Sequence, residues 1–138
     1  MIERAAQAAS RTISGVDSDS RVLSLAVDHL AAAGIDEAQL VCGDATELPF
    51  AKNSFDALVA DLPFGQLIGS HNENRRLYPA MITEAARVAR RAAVFALITH
   101  EKRLIRDVLQ NQSAWTTMQR IPINLNGLHP EILVLRRE

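Results

Sequence analysis

The sequence predicts an α/β fold: a doubly wound, mostly parallel sheet that ends in an antiparallel hairpin. Three observations carry the prediction. Strand-like and helix-like segments alternate along the chain. Three of the strand-like segments run into an aspartate, at Asp17, Asp44 and Asp61. The last two strand-like segments have only a turn between them, so they pair as a hairpin rather than cross over.

The elements follow in order. Ile2 to Ala9 is alanine-rich and helical in tendency. Thr12 to Val16 is a short β-prone run that ends at Asp17. Asp19 or Ser20 can cap a helix whose apolar residues Val22, Leu23, Leu25, Ala26, Val27 and Leu30 recur at helical spacing. Gly34 stops it. Gln39 to Cys42 and Phe55 to Ala60 read as the next two strands. Asn74 to Arg90 reads as a long amphipathic helix, and Ala92 to Ile98 as a continuous apolar, buried strand. Glu101 to Gln110 is a further helix. Trp115 to Ile121 and Glu131 to Arg136 are the hairpin strands, with Asn124-Leu125-Asn126-Gly127 as a turn between them.

Composition narrows the class. The chain has 138 residues, 48% hydrophobic and 22% charged, which fits one globular domain spanning residues 1–138. No apolar run approaches the ~20 residues that span a bilayer, so no membrane partner is expected. Met1-Ile2-Glu3-Arg4 does not read as a signal peptide. Cys42 is the single cysteine, which rules out an internal disulfide and makes a cytoplasmic location the simple reading. It reads as a small buried hydrophobe. His29, His71, His100 and His129 are dispersed without metal-ligand spacing, so no metal is expected. The formal net charge is −1, without the basic excess of a domain that binds RNA unaided. The clusters Arg75-Arg76, Arg87 with Arg90-Arg91, and Arg136-Arg137 read as solvated element ends.

Ligands of open α/β sheets bind beyond the carboxyl ends of the strands, which directs attention to the three aspartates. Asp17 can accept hydrogen bonds from a ribose diol, or serve as a helix cap or loop acid. Asp44 can accept from an adenine amine, or serve as a turn residue. Asp61-Leu62-Pro63-Phe64-Gly65 is the sharpest feature. Pro63 fixes its own φ and biases Leu62 toward an extended conformation, and Gly65 frees the next turn. Such a stiff loop can present the Asp61 carboxylate and the Leu62 carbonyl side by side to a planar amine, with Phe64 stacked on an aromatic base. A tight turn with a buried aromatic is the alternative.

Gly15-Val16-Asp17, Gly43-Asp44-Ala45 and Asp61-Leu62-Pro63-Phe64-Gly65 together resemble, in order and spacing, the class I methyltransferases that modify amino groups of nucleobases. The last motif is similar to their Asn/Asp-Pro-Pro-Tyr/Phe signature. Its form with Leu before Pro and Gly after Phe looks most like the RNA methylases that carry an N-terminal THUMP domain and act on guanine N2 of tRNA. Asn72, Asn74, the helix through Tyr78 and the final strand pair fit the same family, so the likeness covers nearly the whole chain. It implies a Rossmann-like fold, S-adenosylmethionine as cofactor and tRNA as substrate. Asp17, with Ser18, would bind the cofactor ribose. Asp44, with Ala45, would bind the adenine. Asp61, Leu62 and Pro63 would hold the target amine, with Asp61 also facing the cofactor, and Phe64 would stack on the base.

The family begins with a strand and a glycine-rich turn, Asp-Pro-x-Cys-Gly-Ser/Thr-Gly-Thr. Met1 to Ala6 looks like the helix just after that turn. The first strand and glycine-rich loop are therefore expected to be missing, and the chain alone to bind the cofactor weakly. RNA binding is expected to need a separate or missing domain. Two other readings remain: methylation of DNA adenine or another amine, and an inactive truncated module acting through a partner, for instance as a homodimer. A dinucleotide-dependent oxidoreductase is disfavoured, because no Gly-x-Gly-x-x-Gly is present.

Overall fold

The computed structural model describes residues 13–35, 38–63, 70–125 and 127–138. The helical tendency of Ile2 to Ala9 lies outside the described residues, as do Phe64 and Gly65. The chain divides into two compact units, Met1–Pro49 and Phe50–Glu138.

The first unit holds β1 (Ile13–Asp17), α1 (Ser20–Ala32) and β2 (Ala38–Cys42). β1 and β2 pair in parallel, from Ile13 opposite Ala38 to Asp17 opposite Cys42. A Cβ on Gly15 would lie 2.8 Å from Leu40 Cδ2, so glycine there lets the two strands and the Leu40 side chain pack. Of the two candidate caps, Asp19 is the one used: its carboxylate accepts the Arg21 N–H at 2.9 Å. Gly34 ends the helix with φ +68°, the left-handed region that favours glycine. No residue of α1 is buried, and Val22, Leu25 and Val27 are exposed. The Cys42 expectation is overturned: its side chain is exposed. Alternate strand positions point to opposite faces, and Cys42 occupies an outward position of a strand that holds no buried residue.

The second unit is a four-stranded sheet with two helices. It contains β3 (Phe55–Asp61), α2 (His71–Val88), β4 (Ala89–Thr99), α3 (Lys102–Gln110), β5 (Trp115–Pro122) and β6 (Glu131–Arg137). The sheet order is β3-β4-β6-β5. β3 and β4 are parallel, while β6 runs antiparallel to both β4 and β5. The terminal hairpin therefore forms as expected, and its second strand is the one that joins the sheet.

α2 starts three residues earlier than the pattern suggests, because Ser70 and Glu73 form a capping box. The Ser70 hydroxyl accepts the Glu73 N–H at 3.2 Å, and the Glu73 carboxylate accepts the Ser70 N–H at 2.7 Å. β4 begins directly at the end of α2, also three residues early, with Ala92 at φ +64° and a register shift against β3. β4 is not buried throughout. Ala93, Phe95, Leu97 and Thr99 face the core, whereas Val94 is exposed. The period-2 alternation of a strand decides this, because alternate side chains point to the face that packs against α2 and α3.

That face carries the core. Tyr78, Met81, Ile82 and Ala85 of α2 and Ile105 and Leu109 of α3 pack with Phe95, Leu97, Trp115, Leu133 and Leu135 of the sheet. Trp115 lies against Phe95, with ring centroids 5.4 Å apart, and its indole N–H donates to the Ile82 carbonyl at 3.1 Å. The opposite face exposes Val59, Val94 and Met118.

Candidate functional site

In the first unit, parallel pairing brings two aspartates to the same sheet end. Asp17 is the last residue of β1 and lies opposite Cys42, so Gly43 and Asp44 leave β2 beside it. The Asp17 carbonyl accepts the Gly43 N–H at 3.0 Å. Asp17 does not cap α1. Its Oδ1 accepts the Asp19 N–H at 2.8 Å and so shapes the turn that places the true cap. Asp44 does act locally as a turn residue: its Oδ1 accepts the Thr46 N–H and hydroxyl, both at 2.7 Å. These two hydrogen bonds, the N–H first, hold the Asp44 carboxyl below the usual carboxylate range.

In both aspartates Oδ2 has no partner among the described residues. Two adjacent carboxylates, each with one oxygen committed to its own turn and one left over, form an acceptor set suited to a hydroxyl pair and an amine. The residues present therefore fit a nucleoside. Ser18 and Ala45 are exposed beside them. The Ser18 carbonyl lies 3.6 Å from Cys42 Sγ.

In the second unit, Asp61 ends β3 and pairs with Ile98 of β4. The chain then turns under tight control. The Leu62 N–H donates to the Ile98 carbonyl at 3.0 Å, and the Leu62 side chain is buried. Pro63 has no N–H to satisfy. Its carbonyl accepts from two side chains of α2, Tyr78 Oη at 2.9 Å and Asn74 Nδ2 at 3.0 Å. The Leu62 carbonyl accepts no hydrogen bond among the described residues. The Asp61 carboxyl just before it is pushed above its usual range by partial desolvation. Asp61 and Leu62 thus stand at the end of β3, with the Pro63 carbonyl that follows them held by α2. The stacking expected of Phe64 falls outside the described residues.

Tyr78 and Asn74 are fully buried and belong to a wider network. Tyr78 Oη lies 2.7 Å from Thr99 Oγ1, and Thr99 Oγ1 accepts the Glu101 N–H at 2.9 Å. The Glu101 carboxylate lies 3.4 Å from Asn74 Nδ2 and 3.0 Å from His71 Nδ1. Burial pushes the Tyr78 phenol up to about 12, with the charges of Glu101 and Asp61 adding to the shift. His71 is the first residue of α2 and pairs with Glu101. No group of three or more potential metal ligands occurs among the described residues.

Sequence reasoning gave Asn74 and Tyr78 no role, although their spacing held a signal. Positions i and i+4 share one face of a helix, and here that face is buried. Polar groups on such a face must find partners. The arginines of the clusters differ in their partners. Arg87 pairs with Glu84, Arg90 pairs with Asp56, and Arg137 donates to the Ala86 and Ala114 carbonyls. Arg75 and Arg76 are exposed and unpaired among the described residues.

Residues 1–131 match the UPF0020 family, described as an RMKL-like methyltransferase domain. Over 96 residues, 68% of the chain, it is 34% identical to a Bos taurus protein named tRNA (guanine(6)-N(2))-methyltransferase THUMP3. Over 124 residues it is 26% identical to the Methanocaldococcus jannaschii tRNA (guanine(6)-N2)-methyltransferase. Among solved structures it resembles TrmN from Thermus thermophilus, with a TM-score of 0.84 over 97% of the chain at 22% identity. A Streptococcus thermophilus rRNA methylase matches with a TM-score of 0.70 at 14% identity. These structures share the Rossmann-like methyltransferase fold. The chain spans 19% of the bovine relative, 32% of the archaeal one and 39% of the TrmN chain.

Proposed function

We propose, from the premise that this chain belongs to the UPF0020 family of RMKL-like methyltransferase domains, that it serves methyl transfer from S-adenosylmethionine to an exocyclic base amine in RNA, with guanine N2 of tRNA as the favoured target. The carrying observation is the pair of acceptors at the end of β3. Asp61 and Leu62 are consecutive at the strand end, the Leu62 carbonyl accepts no hydrogen bond among the described residues, and the flanking Leu62 N–H and Pro63 carbonyl are both bound. An amine with two hydrogens matches two acceptors.

S-adenosylmethionine, when bound, supplies an electrophilic sulfonium methyl group. Asp17 would hold its ribose, with Ser18 alongside, and Asp44 its adenine, with Ala45 alongside. Asp61 and Leu62 would accept hydrogen bonds from the two amine N–H groups and so fix the direction of the nitrogen lone pair, the amine losing one proton once the methyl group is bound. As the nitrogen gains positive charge, the Asp61 carboxylate at the exposed end of β3 offsets it. Phe64 is assigned to stacking on the base. The 138 residues are read as one catalytic domain. With a net charge of −1, the chain supplies little phosphate attraction, so we assign most tRNA affinity to a separate RNA-binding domain.

The test is transfer of a tritiated methyl group, by the protein carrying this chain, to unmodified tRNA, duplex DNA and small amines in parallel. Label in tRNA is the expected result. Label confined to DNA or small amines contradicts the substrate assignment, and no label in any of them contradicts the activity.

A further inference from the structure

We infer that Tyr78 and Asn74 are positioning residues which clamp the Pro63 carbonyl and thereby set the direction of the Asp61–Leu62 acceptor pair. The inference rests on the amine-holding role of that pair.

The proton assignments leave one consistent arrangement. The Pro63 oxygen has no hydrogen, so the single Tyr78 hydroxyl hydrogen, 2.9 Å away, must be donated to it. The Thr99 hydroxyl then donates to Tyr78 Oη at 2.7 Å, because Tyr78 has no second hydrogen to give. Thr99 Oγ1 in turn accepts the Glu101 N–H at 2.9 Å. The result is a directed chain from Glu101 N–H through Thr99 and Tyr78 to Pro63, in which each bond polarises the next. Asn74 is fixed by the same logic. Its near atom faces two pure acceptors, the Pro63 oxygen and a Glu101 carboxylate oxygen, so it must be the amide nitrogen.

Asn74 Oδ1 is consequently left buried without a partner. An unpaired buried acceptor is costly, and a purely stabilising design would not keep one. An apolar residue of similar shape would pack there without that cost. What Asn74 adds is the second grip on Pro63.

The clamp holds a peptide segment rather than the core. Leu62 is pinned on one side by its N–H to Ile98, and Pro63 on the other by its carbonyl to α2. With both fixed, rotation of the intervening peptide units is restrained, and the direction of the Leu62 carbonyl is set with them. A displacement of about 1 Å at such a site costs up to ~10²-fold in turnover.

Tyr78→Phe keeps the ring and removes the hydroxyl, and Asn74→Leu keeps the volume and removes the amide. Both are assayed in the protein carrying this chain for kcat, for KM of each substrate, for melting temperature and for hydrogen exchange of the Leu62 amide. We expect Tyr78→Phe to lower kcat about tenfold to hundredfold, with KM for the cofactor nearly unchanged. Melting should stay close to wild type. The Leu62 amide should exchange faster, while the Leu97 and Leu133 amides keep their protection. Because both donors grip one oxygen, the double variant should lose more kcat than the product of the single losses. Unchanged kcat, unchanged Leu62 exchange, strictly multiplicative losses, or a general loss of amide protection would each overturn the clamp. If instead wild type methylates no amine, the functional reading fails by itself, and Leu62 exchange alone decides the clamp.

Discussion

Asp61→Asn is expected to lower methyl transfer by about 10²–10³-fold and to leave the fold at least as stable at neutral pH. Asn keeps the shape of Asp but turns one acceptor into an N–H donor aimed at the amine hydrogens. It also removes the negative charge that offsets the developing positive nitrogen. The stability result follows from the carboxyl being raised above its ordinary value of 3.8 by partial burial. The folded chain then binds this proton more tightly than the unfolded chain. Stability therefore falls as pH rises through the window between the two values, and the cost is fully present above it. Asn removes the cost, so the variant gains on the parent at pH 7 and loses that advantage below the ordinary carboxylate value. The same raised value places the acid limb of the pH–rate profile above 3.8. Cofactor affinity should remain within a few-fold. Turnover by Asp61→Asn at the wild-type rate, or a melting temperature well below wild type at pH 7, contradicts the role given to Asp61.

The largest expected stability effect lies elsewhere in the second unit. Phe95→Ala should cost about 3–5 kcal/mol, a large share of the ~5–15 kcal/mol that holds a domain together. Phe95 is 2% exposed, lies in register with Leu58 on β3 and Leu135 on β6, and packs against Trp115. Its partners Leu58, Leu135 and Trp115 come from three different strands, so filling the void would need several elements to move together. Trp115 is the chain's single tryptophan, so its fluorescence during urea unfolding reports this core directly. A loss under about 1 kcal/mol shows that the core relaxes around the gap. β4 also supplies the Ile98 carbonyl that anchors Leu62 and the Thr99 hydroxyl that supports Tyr78, so the same strand serves core and site.

Local chemistry in the sequence predicted more than long-range pairing. Asp17 and Asp61 were identifiable as strand ends because an acid that follows an apolar run has few other places to be. Asp19 was a nameable cap, and Gly34 a nameable stop. The start of α2 was misplaced because the polar run Ser70-His71-Asn72-Glu73 reads as loop, yet its S-x-x-E spacing is a capping box. The start of β4 was missed because Ala89 to Arg91 continue the helical composition. There the backbone changes at Ala89, and the Arg90 side chain reaches across to the Asn53 carbonyl and Asp56. The insertion of β6 between β4 and β5 depends on pairings some forty residues apart, and no local signal specifies it.

At the candidate site, Asp61 and Leu62 were legible from Pro63 and Gly65, which advertise a stiff loop. The clamp behind them was not. Thr99, Glu101 and Asn74 are ordinary residues in sequence, and only the fold brings them under Pro63. Tyr78 offered one further hint, as a polar-tipped residue in step with Ile82 and Ala85 on the buried face of α2.

The central claim, that the Asp61–Leu62 pair presents a base amine for methylation, is tested most directly by the identity of the product. tRNA transcripts are incubated with the protein and deuterium-labelled S-adenosylmethionine, digested to nucleosides and analysed by mass spectrometry. The account predicts label in N2-methylguanosine with wild type and none with Asp61→Asn. Label on a ring nitrogen, a carbon or a ribose oxygen, or equal label from Asp61→Asn, contradicts it.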